Sequence, residues 1–240
     1  VENFIKLIKE KRANRCIAMD VRTGPLEKAR ENLALYGCEE NVELRLSNGL
    51  DALGGQEAQV IMIAGMGGVV MCDILERGLG KEGHLRQVIC DAEALKSSGG
   101  SGNAAGLPVL VLQPQSHIYE VRKWLYENGY HITDEDMCLE DGKYYFAMRA
   151  EPGSLTFGHG AGCRYDAEGE SFRKVTEAEL YFGPVLLKRR SSLLRQYLTE
   201  ACAKAERRVK QTKLSSSADA LVKKAYFENI VEMIGEFTWI

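Results

Sequence analysis

Two polar side chains that follow short apolar segments are the first candidates for chemistry in this sequence. Asp20 comes directly after the segment 15–19, and Asn48 follows the segment 42–46, in which apolar and charged residues alternate. A carboxylate in such a position accepts hydrogen bonds from two vicinal ribose hydroxyls, and an amide beside it can read an adenine ring. The alternatives are a helix cap for Asp20 and a plain Asn-Gly turn for Asn48. The predicted nucleoside-binding residues are Asp20, Val21, Asn48 and Gly49.

A second candidate site is the point where an apolar segment gives way to glycines. Residues 60–64 have the composition of a strand buried on both faces of a parallel sheet, and residues 65–68 are Gly-Met-Gly-Gly. Ligands of open α/β sheets bind at this end of a strand, where glycine allows close approach and a following helix presents free N–H groups. We expect that helix at about 69–77. Ala64, Gly65 and Met66 are predicted to line the crevice, with a tight turn that holds no ligand as the alternative.

A parallel α/β sheet would position these residues, and the pattern of the chain predicts one. Strands are expected at 15–19, 42–46, 60–64 and 108–112, with amphipathic helices between them. A hairpin follows, with strands at 130–139 and 144–150 around the turn Glu-Asp-Gly-Lys. A reversed strand after parallel ones is typical of class I methyltransferases, whereas nicotinamide-binding dehydrogenase domains end in parallel strands.

The C-terminal part has a different pattern. After a glycine-rich segment at 151–172, which we expect to be a loop, apolar residues at three- and four-residue spacing predict a helical hairpin of the coiled-coil type. The predicted organisation is an α/β, Rossmann-like domain at 1–172 and a helical hairpin at 173–240. Residues 97–106 are expected to form a flexible surface loop.

Composition excludes several classes of protein. The 240 residues contain no apolar run of about 18 that could span a membrane, and no signal peptide is recognisable. Seven scattered cysteines without a Cys-x-x-Cys pair argue against a disulfide framework and against a zinc site. We therefore expect a cytoplasmic protein without a bound metal.

Charge is distributed unevenly along the chain. Residues 174–240 carry 12 Lys and Arg against 8 Asp and Glu, a balance of +4, whereas residues 1–173 carry 19 against 26, a balance of −7. A basic tail on an acidic body is a feature of a polyanion-binding arm, and a solvated helical face is the alternative. The candidate basic residues are Lys188, Arg189, Arg190, Arg195, Lys204, Arg207, Arg208 and Lys210.

Five motifs occur in a fixed order along the chain. They are Ser-Asn-Gly-Leu at 47–50, Ile-Ala-Gly-Met-Gly-Gly at 63–68, Leu-Gln-Pro at 112–114, Glu-Asp-Gly-Lys-Tyr-Tyr at 140–145 and Phe-Gly-Pro at 182–184. Together they resemble the TrmK family of bacterial tRNA (adenine-N1)-methyltransferases, over nearly the whole chain. The resemblance implies a class I methyltransferase domain, S-adenosylmethionine as cofactor, tRNA as partner and a C-terminal module that helps to hold the tRNA.

Three features depart from the family pattern. The family's Asp-x-Gly-Ser/Thr-Asp-His stretch, which holds the methionine part of the cofactor, is absent because the sequence begins in the helix after it. Asn48 stands where the family usually has Asp, and Gln115 where it usually has Asn. A parallel sheet without its first strand has unpaired edges, so we expect about 30–40 further residues before Val1 in the native protein.

The resemblance also implies a reaction and roles for two further residues. N1 of adenine attacks the sulfonium methyl through its in-plane lone pair, so the site mainly positions the reactants. Gln113 is expected to hydrogen-bond the target base, and Asp141 to stabilise the cationic product. A structural strand-end Gln and an ordinary turn Asp are the alternatives.

Other functions stay open at this point. A non-catalytic RNA-binding protein could keep the fold and the basic helix. An NAD-dependent oxidoreductase also uses an acid after its second strand, although the Gly-x-Gly-x-x-Gly motif is missing here. The protein is expected to be a monomer or a weak homodimer.

Overall fold

The computed structural model describes residues 2–97, 106–153, 155–157, 163–165, 175–212 and 218–240. The chain divides into two compact units. The first consists of Val1–Gln59 and Cys72–Leu107, and the second of Val60–Met71 and Pro108–Ile240. The predicted boundary at 172 lies outside the described residues, and the division at that point stays a prediction. Most of the predicted loop at 97–106 lies outside them as well.

The described elements alternate between helices and strands until the C-terminal helices begin. In chain order they are α1 (Glu2–Lys9), β1 (Cys16–Asp20), α2 (Thr23–Tyr36), β2 (Val42–Leu46), β3 (Val60–Met66), α3 (Gly68–Leu79), α4 (His84–Ser97), β4 (Val109–Pro114), α5 (Ile118–Glu127), β5 (Tyr130–Glu140), β6 (Lys143–Pro152), β7 (Leu155–Phe157), β8 (Cys163–Tyr165), α6 (Glu177–Phe182), α7 (Pro184–Arg189), α8 (Ser192–Thr212) and α9 (Ala218–Gly235).

The first unit contains a two-stranded parallel sheet. Strands β1 and β2 pair in register from Cys16 opposite Val42 to Asp20 opposite Leu46. One face of helix α2 is apolar and buries Ala29 and Leu33, and the helix ends at a glycine in the left-handed conformation. The core beside this sheet consists of Ile5, Ala18, Leu33, Cys38 and Val42.

The second unit contains a four-stranded sheet in the order β3-β4-β6-β5. Strand β3 is parallel to β4, whereas β6 is antiparallel to both β4 and β5. The reversed strand β6 therefore lies inside the sheet, between β4 and β5. This confirms the α/β, Rossmann-like fold with a terminal antiparallel hairpin that the sequence predicted.

One face of β3 is more exposed than the sequence predicted. Residues 60–64 were expected to be buried on both faces, but Val60 and Met62 are 54% and 39% exposed, while Ile61 and Ile63 are buried. In the described part of the chain β3 pairs with β4 alone, and no element covers the face that carries Val60 and Met62. The expectation of a strand buried on both faces is therefore wrong for this chain as described.

The segment 151–172 is also more regular than predicted. Strands β7 and β8 pair in antiparallel fashion, from Leu155 opposite Tyr165 to Phe157 opposite Cys163. Their residues alternate between apolar and polar types, a pattern that suits strands even inside a glycine-rich segment. The remaining residues of this segment that lie outside the described ranges are 154, 158–162 and 166–172.

Among the described residues, four helices form the C-terminal part of the second unit. The predicted helical hairpin corresponds to α8 and α9, which share a hydrophobic core with β5 and β6. The buried residues of this core are Met137, Phe146, Phe182, Leu186, Leu194, Leu198, Ala205, Ile230, Met233 and Ile234. Two shorter helices, α6 and α7, precede the hairpin and were not predicted. Among the helices in the described ranges, none combines the length and the apolar composition that a membrane span needs.

Candidate functional site

The carboxyl ends of β1 and β2 bring the predicted nucleoside-binding residues to one edge of the first unit's sheet. Asp20 pairs with Leu46, and the backbone N–H of Ser47 donates to the Asp20 carbonyl at 2.9 Å. Asn48 is the next residue, so the carboxylate and the amide stand at the same edge. Oδ1 of Asp20 accepts the backbone N–H of Arg22 at 2.9 Å, which fixes the carboxylate's orientation.

The neighbours of these two residues have the properties that a nucleoside site needs. Val21 is 62% exposed, so it offers an apolar surface beside the Asp20 carboxylate. Gly49 has a φ of +64°, and a Cβ atom there would lie 2.7 Å from Cγ2 of Ile74. Only glycine fits this position without strain or displacement of Ile74.

Arg77 stabilises the loop that contains Asn48 through two hydrogen bonds. Its Nη2 donates to the Asn48 carbonyl at 3.3 Å, and its Nη1 donates to Oδ2 of Asp51 at 3.4 Å. Arg77 is 29 residues from Asn48 in sequence and lies on α3. Its role was missed because no local sequence pattern links a helical arginine to a distant loop carbonyl.

A network of ion pairs and hydrogen bonds links Arg45 of β2 to the later residues of the same loop. Arg45 donates to Oε2 of Glu57 at 2.6 Å and to the Ala52 carbonyl at 2.8 Å, and Glu57 also accepts the Gly54 N–H at 2.7 Å. These hydrogen bonds, chiefly that from Arg45, lower the pKa of Glu57 from 4.5 to about 2. Hydrogen bonds from Arg45 and Arg15 lower the pKa of Glu43 to about 2 as well.

In the second unit, Gln113 holds the glycine turn at the end of β3. The Gly65 N–H donates to Oε1 of Gln113 at 2.9 Å, and Gly65 has a φ of +79°. The Gln115 N–H in turn donates to the Met66 carbonyl at 2.9 Å. Ala64, Gly65 and Met66 therefore form one fixed edge with Gln113, and their place in a ligand-binding crevice stays a prediction. Since Oε1 is occupied, Gln113 can offer its NH₂ group to a ligand.

Gly68, the last glycine of this turn, is required by close packing. The Gly68 N–H donates to the Ser116 carbonyl at 2.9 Å, and a Cβ atom at 68 would lie 2.4 Å from that oxygen. Close approach of the loop between β4 and α5 therefore requires glycine here. For Gly68 the tight-turn alternative explains the residue without a ligand.

Asp141 occupies the tight turn between β5 and β6. Asp141 and Gly142 have φ angles of +48° and +73°, which fit a two-residue turn of type I′ and its preference for Asp-Gly. Leu112 pairs with Met148, so Gln113 is level with Ala147, and the turn begins about 13 Å farther along β6. A role for Asp141 in stabilising product charge stays a prediction.

The predicted basic residues divide into two groups. Lys204, Arg207 and Lys210 are exposed and lie on the side of α8 opposite its buried residues Leu194, Leu198 and Ala205. Arg195 and Arg208 flank this face, and Lys188 is exposed on α7. Arg207 and Arg208 also make hydrogen bonds within α8, from Nε of Arg207 to the Ala203 carbonyl at 3.1 Å and from Nη1 of Arg208 to Oε1 of Gln211 at 3.4 Å. The other two basic residues contact side chains outside α7 and α8.

Arg189 and Arg190 are these two residues. Nη2 of Arg189 donates to Oδ1 of Asp134 at 2.6 Å, and the guanidinium of Arg190 lies 5.6 Å from the centre of the Trp239 ring. Among the described residues, no group of three or more His, Cys, Asp or Glu could hold a metal ion.

Comparison with known protein families gives two matches. A model described as a methyltransferase domain matches residues 4–98, and the TrmK model, described as tRNA (adenine(22)-N(1))-methyltransferase, matches residues 100–236. The second match covers more than half of the chain. A tRNA (adenine(22)-N(1))-methyltransferase from Bacillus subtilis strain 168 is 32% identical over 142 residues, which are 59% of this chain and 50% of that protein. The chain therefore spans about half the length of this relative.

Solved structures with the same fold cover nearly the whole chain. An uncharacterized protein from Listeria monocytogenes is 25% identical, with a TM-score of 0.73 over 97% of this chain and 86% of that one. Streptococcus pneumoniae Sp1610 in complex with S-adenosyl-L-methionine is 26% identical, with a TM-score of 0.65 over 97% and 85%. The B. subtilis M1A22 tRNA methyltransferase TrmK is 24% identical, with a TM-score of 0.70 over 96% and 85%, and supports the fold alone.

Proposed function

The chain belongs to the tRNA (adenine(22)-N(1))-methyltransferase family, and on this premise we propose that it transfers a methyl group from S-adenosylmethionine to N1 of an adenine in tRNA. The observation that carries the proposal is the edge of β1 and β2, where an acid and an amide follow adjacent strands in a chain of this family. The tRNA partner and the S-adenosylmethionine cofactor are part of the proposal.

The residues at this edge fit the adenosine part of the cofactor. The Asp20 side chain is 35% exposed and can accept hydrogen bonds from the ribose hydroxyls. Asn48 is exposed for hydrogen bonds to the adenine ring, and Val21 offers it an apolar contact. We assign Ala64, Gly65 and Met66 to the crevice between cofactor and target base. No residue is assigned to the methionine end of the cofactor.

The protein's part in the reaction is to position the target base. S-adenosylmethionine, when bound, supplies an electrophilic methyl group on sulfur. Adenine N1 needs no deprotonation before it attacks, because its lone pair lies in the ring plane. We assign the NH₂ group of Gln113 to the target base, since the Gly65 N–H fixes the orientation of the Gln113 amide. N1 lies on the Watson–Crick edge, so a paired adenine must be unpaired and flipped before transfer.

The tRNA is assigned to the exposed basic face of α8. Phosphate contacts dominate affinity for nucleic acids, and Lys204, Arg207 and Lys210 are placed along one side of the helix to make them. Arg208 and Arg195 extend this face at its flanks. The protein is proposed to act as a monomer or a weak homodimer.

Titrations of S-adenosylmethionine, NAD and tRNA into this protein test the proposal. S-adenosylmethionine and tRNA should bind, and NAD should not. If tRNA binds and S-adenosylmethionine does not, the result favours the non-catalytic RNA-binding alternative. If NAD is the only one of the three that binds, the result favours the oxidoreductase. The reversed strand β6 speaks against the oxidoreductase.

The double variant Arg207→Glu/Arg208→Glu tests the RNA face separately. It should weaken tRNA binding and flatten its dependence on salt, because two phosphate partners are lost, while the affinity for S-adenosylmethionine stays unchanged. Lys28→Glu/Arg30→Glu is the matched control, because it reverses two exposed charges on α2. Equal tRNA affinity of the wild type and the α8 variant would remove this helix from the proposal.

A further inference from the structure

The Phe-Gly-Pro segment at 182–184 forms a joint between two short helices. Helix α6 ends at Phe182 and α7 begins at Pro184, with Gly183 between them. The last carbonyl groups of α6 and the first N–H groups of α7 lack partners within their own helices. Buried groups of this kind need partners elsewhere in the fold.

Arg122 of α5 supplies the partners for the end of α6. Its Nη1 donates to the Leu180 carbonyl at 3.0 Å and to the Tyr181 carbonyl at 2.8 Å. The guanidinium is positively charged, which suits the negative end of the helix dipole. The Arg122 side chain is only 1% exposed, so this contact is shielded from water.

Glu135 of β5 supplies the partner for the start of α7. Its Oε2 accepts the Val185 N–H at 2.9 Å and the Leu186 N–H at 3.4 Å. Its Oε1 accepts Nε of Arg122 at 2.9 Å, and the Glu135 side chain is also only 1% exposed. The two opposite charges thus neutralise each other, while each binds the helix end that suits its sign.

Gly183 allows the ion pair to lie inside the joint. It has a φ of +92°, and a Cβ atom there would lie 2.6 Å from Oε2 of Glu135 and 2.8 Å from Nη2 of Arg122. Any side chain at 183 would therefore push the charged groups apart. The conformation and the close contact both require glycine.

The joint is continuous with the hairpin that carries the basic face. Arg189, at the end of α7, donates to the Glu135 carbonyl and to Asp134. Leu186 of α7 lies in the same core as Leu194 and Leu198 of α8. Helices α7 and α8 therefore pack in one core, which connects the bend between α6 and α7 to α8.

We propose that Arg122 and Glu135 are positioning residues for the RNA substrate, because they set the bend at Gly183 and so aim the basic face of α8. This inference rests on the proposed function, since it deepens the role of the C-terminal helices in tRNA binding. Neither residue is among those proposed to bind tRNA or the cofactor.

The variant Arg122→Lys tests the inference. It keeps the charge, but a single ammonium group lacks the planar fork that reaches Glu135 and both carbonyls together. We expect tRNA affinity to fall about tenfold, a size typical of substitutions that act away from the ligand. The affinity for S-adenosylmethionine and the rate at saturating tRNA should stay within about twofold of wild type.

A stability control separates positioning from simple loss of folding. Leu110→Ala removes a fully buried side chain of β4 outside the joint and lowers stability without changing the bend. Measured on the folded protein, it should leave tRNA affinity unchanged. Equal tRNA affinity of wild type and Arg122→Lys, or an equal loss in both variants at matched stability, would overturn the inference.

Hydrogen exchange gives a readout that does not depend on RNA. In Arg122→Lys the amides of Val185 and Leu186 should exchange faster, while those of the β5–β6 ladder keep their protection. Unchanged exchange at both amides would overturn the inference even if the wild type bound no tRNA. Failure of the wild type to bind tRNA would instead overturn the proposed function.

Discussion

At the scale of single residues, Asp20 has the most specific proposed role. Its carboxylate is fixed by the Arg22 N–H and stands at the edge where β1 ends beside β2. A hydrogen bond to a charged group contributes about 1.5–3 kcal/mol, so the loss of this acceptor should be measurable in cofactor affinity.

Asp20→Asn should weaken S-adenosylmethionine binding about 10- to 100-fold, because a charged acceptor for the ribose hydroxyls becomes a neutral amide. Calorimetric titration measures the change. Glu40→Gln is the control, because it neutralises an exposed acid in the turn before β2, away from this edge. Equal affinities for Asp20→Asn and Glu40→Gln would exclude Asp20 from the site.

Gly49→Ala should lower the free energy of unfolding by about 1–3 kcal/mol, because the new Cβ meets Ile74 in a left-handed conformation. Gly24→Ala is the matched control, because Gly24 lies in α2 with nothing within 4 Å of a Cβ atom. That substitution should leave stability unchanged or raise it. Urea unfolding compares the two, and equal effects would show that the loop after β2 adapts freely.

Residue types pointed to the candidate site residues but not to the residues that hold the site loops in place. Asp20, Asn48 and Gly65 stand out because each follows a strand-like segment. Arg77, Arg122 and Glu135 do not, since their partners are 29, 58 and 50 residues away. Such contacts depend on the tertiary fold, which local spacing does not encode.

At the scale of elements, the loop after β2 depends on charge to keep its shape. Arg45 and Glu57 join its two ends, and the Arg45 side chain is 19% exposed. The low pKa of Glu57 means that the folded state favours the ionised carboxylate. This contribution to stability is fully present above about pH 4.5, the ordinary pKa, and is lost as the pH falls towards 2.

Glu57→Gln should therefore lower the Tm at neutral pH, and its Tm should converge with that of the wild type as the pH falls from 4.5 to 2. Thermal unfolding at a series of pH values measures this. Glu27→Gln, which neutralises an exposed carboxylate on α2, should follow the wild-type curve. A constant difference in Tm between Glu57→Gln and wild type at every pH would contradict the linkage.

Periodicity predicted most of the long elements and missed the helix α4 and the short helices α6 and α7. The strands β1 to β6 and the helices α2, α3, α5, α8 and α9 follow from apolar spacing and glycine punctuation. Helix α6 is only six residues long, although its capping box at Thr176 and Glu179 is a readable signal. Strand β3 was expected to be covered on both faces because its residues are apolar. An apolar run does not show which neighbouring elements are present to cover it.

At the scale of the whole molecule, the proposed cofactor-binding and RNA-binding residues lie in different parts of the chain. The edge of β1 and β2 carries the proposed nucleoside-binding residues, and α8 carries the exposed basic face. The family match extends over the hairpin strands and the C-terminal helices, from 100 to 236. Loss of either part should abolish methyl transfer, but only loss of the second should weaken tRNA binding.

The most direct test is to incubate the protein with labelled S-adenosylmethionine and tRNA and to identify the modified nucleoside by mass spectrometry. We expect 1-methyladenosine at a single site, position 22 of the tRNA, and no product when that adenine is replaced by guanine. Methyl transfer to another nucleoside, or none from a protein that binds both substrates, would contradict the proposed activity.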